Sequence, residues 1–69
     1  MKDLNFANNL KAILEATNKT QQELADYLGT TQQTISRWIY GINEPDFATL
    51  FKICEFFNET PNTILGFED

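Results

Sequence analysis

Four uncharged hydrogen-bonding side chains in a row, Thr31-Gln32-Gln33-Thr34, follow a glycine at position 29, and Arg37 stands four residues beyond Gln33. On a helix that spacing puts Gln33 and Arg37 on one face. A glutamine amide presents a donor and an acceptor side by side, which matches N6 and N7 of adenine in the major groove. A guanidinium pairs in the same way with O6 and N7 of guanine, or holds a phosphate. Gln21, in the first turn of the preceding segment, is placed to donate to a backbone phosphate beside the open amides of a helix start. The chemistry on offer is reading and gripping a nucleic-acid duplex. A solvated helix start would explain Thr31, Gln32 and Gln33 equally well were it not for the turn that precedes them.

Other chemistries find little support. The 69 residues include no His and a single Cys, so the chain by itself offers no Ser-His or Cys-His nucleophile, no intramolecular disulfide and no Cys/His zinc site. Glu23 and Asp26 are three apart on one helix, but Glu23 is accounted for by capping and exposed helical acids are ordinarily solvated. No enzyme, cofactor, metal or small-molecule ligand is expected. A hydrophobic fraction of 42% and a charged fraction of 22% are those of a globular domain. Its apolar runs are too short to cross a bilayer. The polar N-terminal residues do not make a signal sequence, so the expected address is cytoplasmic. The length allows one domain, spanning 1–69.

The elements that must position these residues are short helices. Phe6, Leu10, Ile13 and Leu14 paint one stripe between Leu4 and Ala16, with Asp3 as the expected N-cap. Thr20 and Glu23 form a capping box that opens a second helix, which Gly29 ends. Thr31 caps a third, with Ile35, Trp38 and Ile39 inward and Gly41 at its end. Pro45-Asp46 restarts the chain into a fourth helix, where Phe47, Leu50, Phe51, Cys54 and Phe57 read as a wide buried stripe broadened by Ile53 and Phe56. Thr60-Pro61 opens a short fifth helix closed by Gly66. No window alternates with period two, so no strand is expected. Within this series, residues 21–40 join two short helices through a tight turn. Ala25 is small where they must approach, and Ile35 fills the space between them, as a helix-turn-helix requires.

From Phe6 to Leu65 the chain resembles the Cro/repressor-type (lambda repressor-like, XRE family) helix-turn-helix domains of phage and bacterial regulators. The residues carrying the likeness are Leu10, Gln21-x-Glu23-Leu24-Ala25, Leu28-Gly29, Thr34-Ile35-Ser36, Trp38, Gly41, Pro45, Leu50, Ile53 and Ile64-Leu65. Gly29-Thr30-Thr31-Gln32-Gln33 looks in particular like the recognition-helix start of a lambdoid phage repressor. The resemblance implies an all-α, compact five-helix bundle that binds double-stranded DNA as a transcriptional regulator, occupying a pseudo-palindromic operator as a homodimer. It implies base reading by Gln32, Gln33 and Arg37, and backbone contacts from Gln21, Thr31, Ser36, Tyr40 and Asn43. Related dimers use their last helix, which points to Leu65 and Phe67.

Three departures stand out. Many relatives pair an Arg in the first helix with a Glu late in the third, where this chain has Leu14 and Ile39. Removing both charges leaves neither one buried alone, and Leu14 and Ile39 are expected to touch. Asn43 and Glu44 stand where basic residues often hold phosphates, and Glu59 where an apolar residue is common, which implies a looser entry to the fifth helix. The charge is also uneven. Residues 1–43 hold four basic and four acidic side chains, whereas residues 44–69 hold Lys52 against six acids. A net charge of −5 supports an alternative in which the same fold is an acidic protein-interaction module or anti-repressor.

Overall fold

A computed structural model describes residues 5–66. It is all-helical over them: α1 (Phe6–Ala16), α2 (Gln21–Leu28), α3 (Gln32–Ile39), α4 (Phe47–Phe57) and α5 (Pro61–Leu65). Each start after the first has the local chemistry its sequence announces. At α2 the Thr20 hydroxyl accepts from the Glu23 amide at 3.0 Å while the Glu23 carboxylate accepts from the Thr20 amide at 2.8 Å. Thr31, Asp46 and Thr60 each accept from the amide three residues on, and Pro61 takes the first turn of α5. α1 differs from expectation. It begins at Phe6 with Asn5 in the N-cap position and no side-chain capping bond, and the anticipated cap Asp3 lies outside the described residues.

The first four helices end alike. An amide two or three residues past the helix end reaches back five positions, at Lys19 to Leu14, Thr30 to Ala25, Ile42 to Arg37 and Glu59 to Cys54, all at 2.9 Å. This closure needs one left-handed residue, supplied by Asn18, Gly29, Gly41 and Asn58. At Gly29, with φ +73°, a Cβ would meet nothing within 4 Å. Backbone conformation rather than crowding therefore calls for glycine in the α2–α3 turn. Glu59 is exposed, but with its amide bonded to Cys54 and Thr60 capping α5, the entry to that helix is hydrogen-bonded rather than loose.

All five helices feed one core. Leu10, Leu24, Ala25, Ile35 and Ile53 are wholly buried, joined by Phe6, Leu14, Trp38, Leu50, Cys54, Phe57 and Ile64. Trp38 packs edge-on to Phe6, ring centroids 6.4 Å apart, which settles its place as core. Asn9 fastens α1 to α5 by donating to the Ile64 carbonyl at 3.1 Å. Cys54 is buried, and that burial, followed by the nearby Glu59 charge, pushes its thiol pKa up, so it stays protonated and unreactive.

The fourth helix corrects the expected stripe. Leu50, Ile53, Cys54 and Phe57 face inward, whereas Phe47 is 78% exposed and Phe51 55% exposed. With this many apolar residues on eleven positions, the helix carries more apolar surface than one buried arc can hold. Leu65 is half-buried rather than an exposed patch, and Phe67 lies outside the described residues.

The bond from the Thr49 amide and hydroxyl, with the nearby Lys52 charge, holds the Asp46 carboxyl below the ordinary carboxylate value. A depressed folded-state pKa stabilises the fold above the unfolded value and loses that contribution as pH falls through the folded one. Asp46→Asn, which keeps a capping oxygen, is therefore expected to flatten the acid limb of thermal stability below pH ~4, the usual Asp range. At neutral pH the carboxylate form should be the more stable. Melting temperature followed by circular dichroism across that range checks this, and parallel wild-type and variant acid limbs would contradict it.

Candidate nucleic-acid interface

The recognition-helix candidate is built from its turn outward. Ala25 on α2 and Ile35 on α3 are both fully buried, so the two helices meet without a bulky side chain between them. Trp38 anchors the far end of α3. At 100° per residue, Ile35 and Trp38 fix the inner face, and Gln32, Ser36, Tyr40, Gln33 and Arg37 fall together on the opposite arc. Their exposure agrees: Gln32, Gln33, Arg37 and Tyr40 are exposed and Ser36 is half-buried. Three of the eight expected site residues, Gln32, Gln33 and Arg37, thus share one solvent-facing surface, flanked by Ser36 and Tyr40.

Thr31 stands at the edge of this surface with its hydroxyl already engaged. It accepts from the Thr34 amide and lies 3.0 Å from the Thr34 hydroxyl, so what it leaves for a ligand is mainly the helix start itself. The first two amides of α3, at Gln32 and Gln33, have no carbonyl ahead of them within the helix. Asn43 is exposed in the α3–α4 loop, off the helical arc.

Sequence reasoning missed the link between the two helix starts. The Gln32 amide donates through Nε2 to Oε1 of Gln21 at 2.6 Å. The first residue of α2 is thereby tied to the first residue of α3, and the sequence signal was available: two glutamines opening consecutive helices across a tight turn. Each amide keeps further capacity. Gln32 retains its carbonyl oxygen and one N–H, and Gln21 retains both of its N–H groups. Gln22 is occupied elsewhere, donating to Asp26 at 2.8 Å.

Beside Gln21 an open groove of about 320 Å³ runs between α1 and the end of α3, lined by Lys11, Leu14, Glu15, Lys19, Gln21, Ile39 and Tyr40. Leu14 and Ile39, expected to touch, both line this groove. Lys19, which sequence alone left open as phosphate contact or plain surface charge, extends over the Phe56 ring with its ammonium 5.4 Å from the centroid. Its charge is held there by a cation–π contact. Lys11, Lys19 and Glu15 line the groove beside the expected phosphate-facing Gln21 and Tyr40, a local excess of one positive charge in a chain whose net charge is −5.

Removing the Gln21 amide has a local expected effect. Gln21→Ala should leave global stability within ~0.5 kcal/mol, as for exposed substitutions generally, while freeing the Gln32 side chain. Relaxation of the Gln32 side-chain amide by NMR should show increased fast motion in the variant. Unchanged order there would mean that the bond does not restrain the side chain in solution.

Comparison with known proteins agrees with this geometry. Residues 10–64 match the Helix-turn-helix family model. An uncharacterized HTH-type transcriptional regulator of Methanocaldococcus jannaschii is 37% identical over 62 residues, covering 90% of this chain and 94% of that protein. A second such regulator, from Bacillus subtilis, is 33% identical over 60 residues, 87% of this chain and 52% of its own length. The chain therefore spans only about half of that relative. Among solved structures, a LexA SOS-response transcriptional repressor from Eubacterium rectale superposes with a TM-score of 0.80 at 30% identity, over 93% of this chain and 66% of that one. The P22 c2 repressor, solved with a synthetic operator, does so at 0.83 with 18% identity over 99% and 100%, a likeness of fold. By sequence match and by the geometry of α2, its turn and α3, the chain belongs to the helix-turn-helix family.

Proposed function

We propose that the chain is a sequence-specific double-stranded DNA-binding transcriptional regulator, occupying a pseudo-palindromic operator as a homodimer. The observation that carries this is the α3 arc. It presents two primary amides and a guanidinium on a surface held rigid by Ile35 and Trp38, with no acid among its exposed members. The names of the sequence relatives, HTH-type transcriptional regulators, support the reading.

In this mechanism α3 enters the major groove with its N-terminal residues toward the bases. Gln32, held by Gln21, offers its remaining N–H and carbonyl oxygen to an adenine edge. Gln33 reads a neighbouring base, and Arg37, one turn on, takes a guanine or a phosphate. The free N–H groups of Gln21 and the open amides of α2 and α3 grip backbone phosphates, with Thr31, Ser36, Tyr40 and Asn43 along the same path. These contacts set register, and the glutamines choose sequence. The acidic excess in residues 44–69 favours one second reading, an interaction module that docks on a basic protein through that region and binds duplex without sequence preference.

Selection from a random duplex pool at low and then moderate salt separates the two. The regulator reading predicts an enriched two-fold-symmetric motif. Gln33→Ala should then cost about 1–3 kcal/mol on that motif and relax preference at one position. Equal losses on every sequence would remove Gln33 from base reading. No enrichment at either salt would favour the acidic interaction module.

A further inference from the structure

The bond between the two helix starts restricts how Gln32 can present itself as well as where it stands. A primary amide is planar, with one N–H beside its carbonyl oxygen and a second turned away from it. Gln32 donates one of these to Oε1 of Gln21 at 2.6 Å. Reading a base with two atoms uses the oxygen and the N–H beside it, which leaves the outlying N–H for Gln21. The partner that holds the amide is half-buried at the start of α2, while Gln32 itself is exposed at the start of α3.

One acceptor beside one donor fits adenine, the oxygen taking the N6–H and the N–H meeting N7. Adenine N6 carries two hydrogens. One pairs with thymine, and the other faces the major groove. A methyl group on N6 displaces the groove-facing hydrogen, because the pair with thymine retains the one that is left. The Gln32 oxygen then loses its donor and meets a methyl carbon in its place. A glutamine without other bonds would turn its amide, keep a single bond to N7 and return its oxygen to water. Gln32 can turn only by breaking its bond to Gln21, and if it stays its oxygen is left unpaired in the interface.

We propose that Gln21 and Gln32 together make duplex binding sensitive to N6-methylation of adenine. The ligand is a duplex unmethylated at the adenine that Gln32 reads, and methylation there releases the protein. This inference rests on the operator-binding reading. Within it Gln21 is a positioning residue for the amide that touches the base, a role separate from any phosphate it grips.

Duplexes carrying the motif enriched from the random pool test this, with one adenine at a time replaced by N6-methyladenine and a methylated adenine outside the motif as control. The adenine read by Gln32 is the one whose preference relaxes in Gln32→Ala. Methylation there should weaken wild-type binding at least ~5-fold, the lower end for a lost bidentate pair, and the control methyl group should not. Gln21→Ala should bring that ratio toward one, whatever it does to the affinity for either duplex. Gln21→Glu, which keeps an acceptor for Gln32 but repels phosphate, should weaken binding to both duplexes and retain the ratio. A phosphate contact alone would weaken both equally in each variant. A motif with no adenine dependent on Gln32, equal binding with and without the methyl group, or a ratio that Gln21→Ala leaves unchanged overturns the inference while the operator reading stands. Unmodified duplexes bound without sequence preference overturn that reading and the inference with it.

Discussion

The crossing of α2 and α3 carries the rest of the molecule. Each of these helices has eight residues, well short of the ~12–15 at which an isolated helix becomes marginal in water. Neither stands by itself, and what holds them is burial: Leu24 and Ala25 from one, Ile35 and Trp38 from the other. The exposed arc of α3 is thus an outcome of its buried arc. A cavity at Ile35 would loosen the spacing of Gln32, Gln33 and Arg37 before touching any of them. In a domain this small, where the net surplus of a single core is a few kcal/mol, the interface and the fold share one set of side chains.

Elements whose signals are local were legible in the sequence. The Thr20–Glu23 box, the caps at Thr31, Asp46 and Thr60, and the turn at Gly29 are short-range hydrogen-bonding and backbone rules, and each appears where its residues stand. Asn18 and Asn58 in the left-handed region are the same rule with a weaker residue, and went unread. The outward turn of Phe47 and Phe51 was illegible for a different reason. Periodicity identifies a buried face by contrast with a polar one, and α4 has too little polar contrast to decide which of its apolar residues lose. In the candidate site, the shared face of Gln32, Gln33 and Arg37 follows from helical geometry alone. The Gln21–Gln32 bond depends on two side-chain rotamers meeting across a turn, which no spacing rule specifies.

Electrostatics reconciles an acidic chain with a duplex partner. Glu23, one of the acids nearest the turn, has its carboxylate bonded to the Thr20 amide, and Asp26 accepts from Gln22. What remains toward the proposed phosphate path is Lys11 and Lys19 against Glu15 beside Gln21, and Arg37 on α3. In the proposed complex so few cations would release only a small number of counterions, and affinity would depend on salt correspondingly shallowly, at about −0.9 in log–log slope per phosphate neutralised. Specific contacts by neutral amides then make up a larger share of the total than in a basic domain. That balance favours discrimination over affinity.

A weak reader of half-sites gains most from being two. When one copy is seated, the second is held near its own half-site at an effective concentration set by geometry, and a small interface between copies is enough to convert two modest affinities into one useful one. The Gln21–Gln32 bond works in the same direction at the level of a side chain. Immobilising a glutamine costs up to about 2 kcal/mol of rotamer entropy, and a side chain already restrained in the free protein loses less of it on meeting a base. That bond reduces the ordering cost of recognition before any duplex arrives. On the proposed reading, a domain with little positive charge reads sequence by lowering that cost in advance.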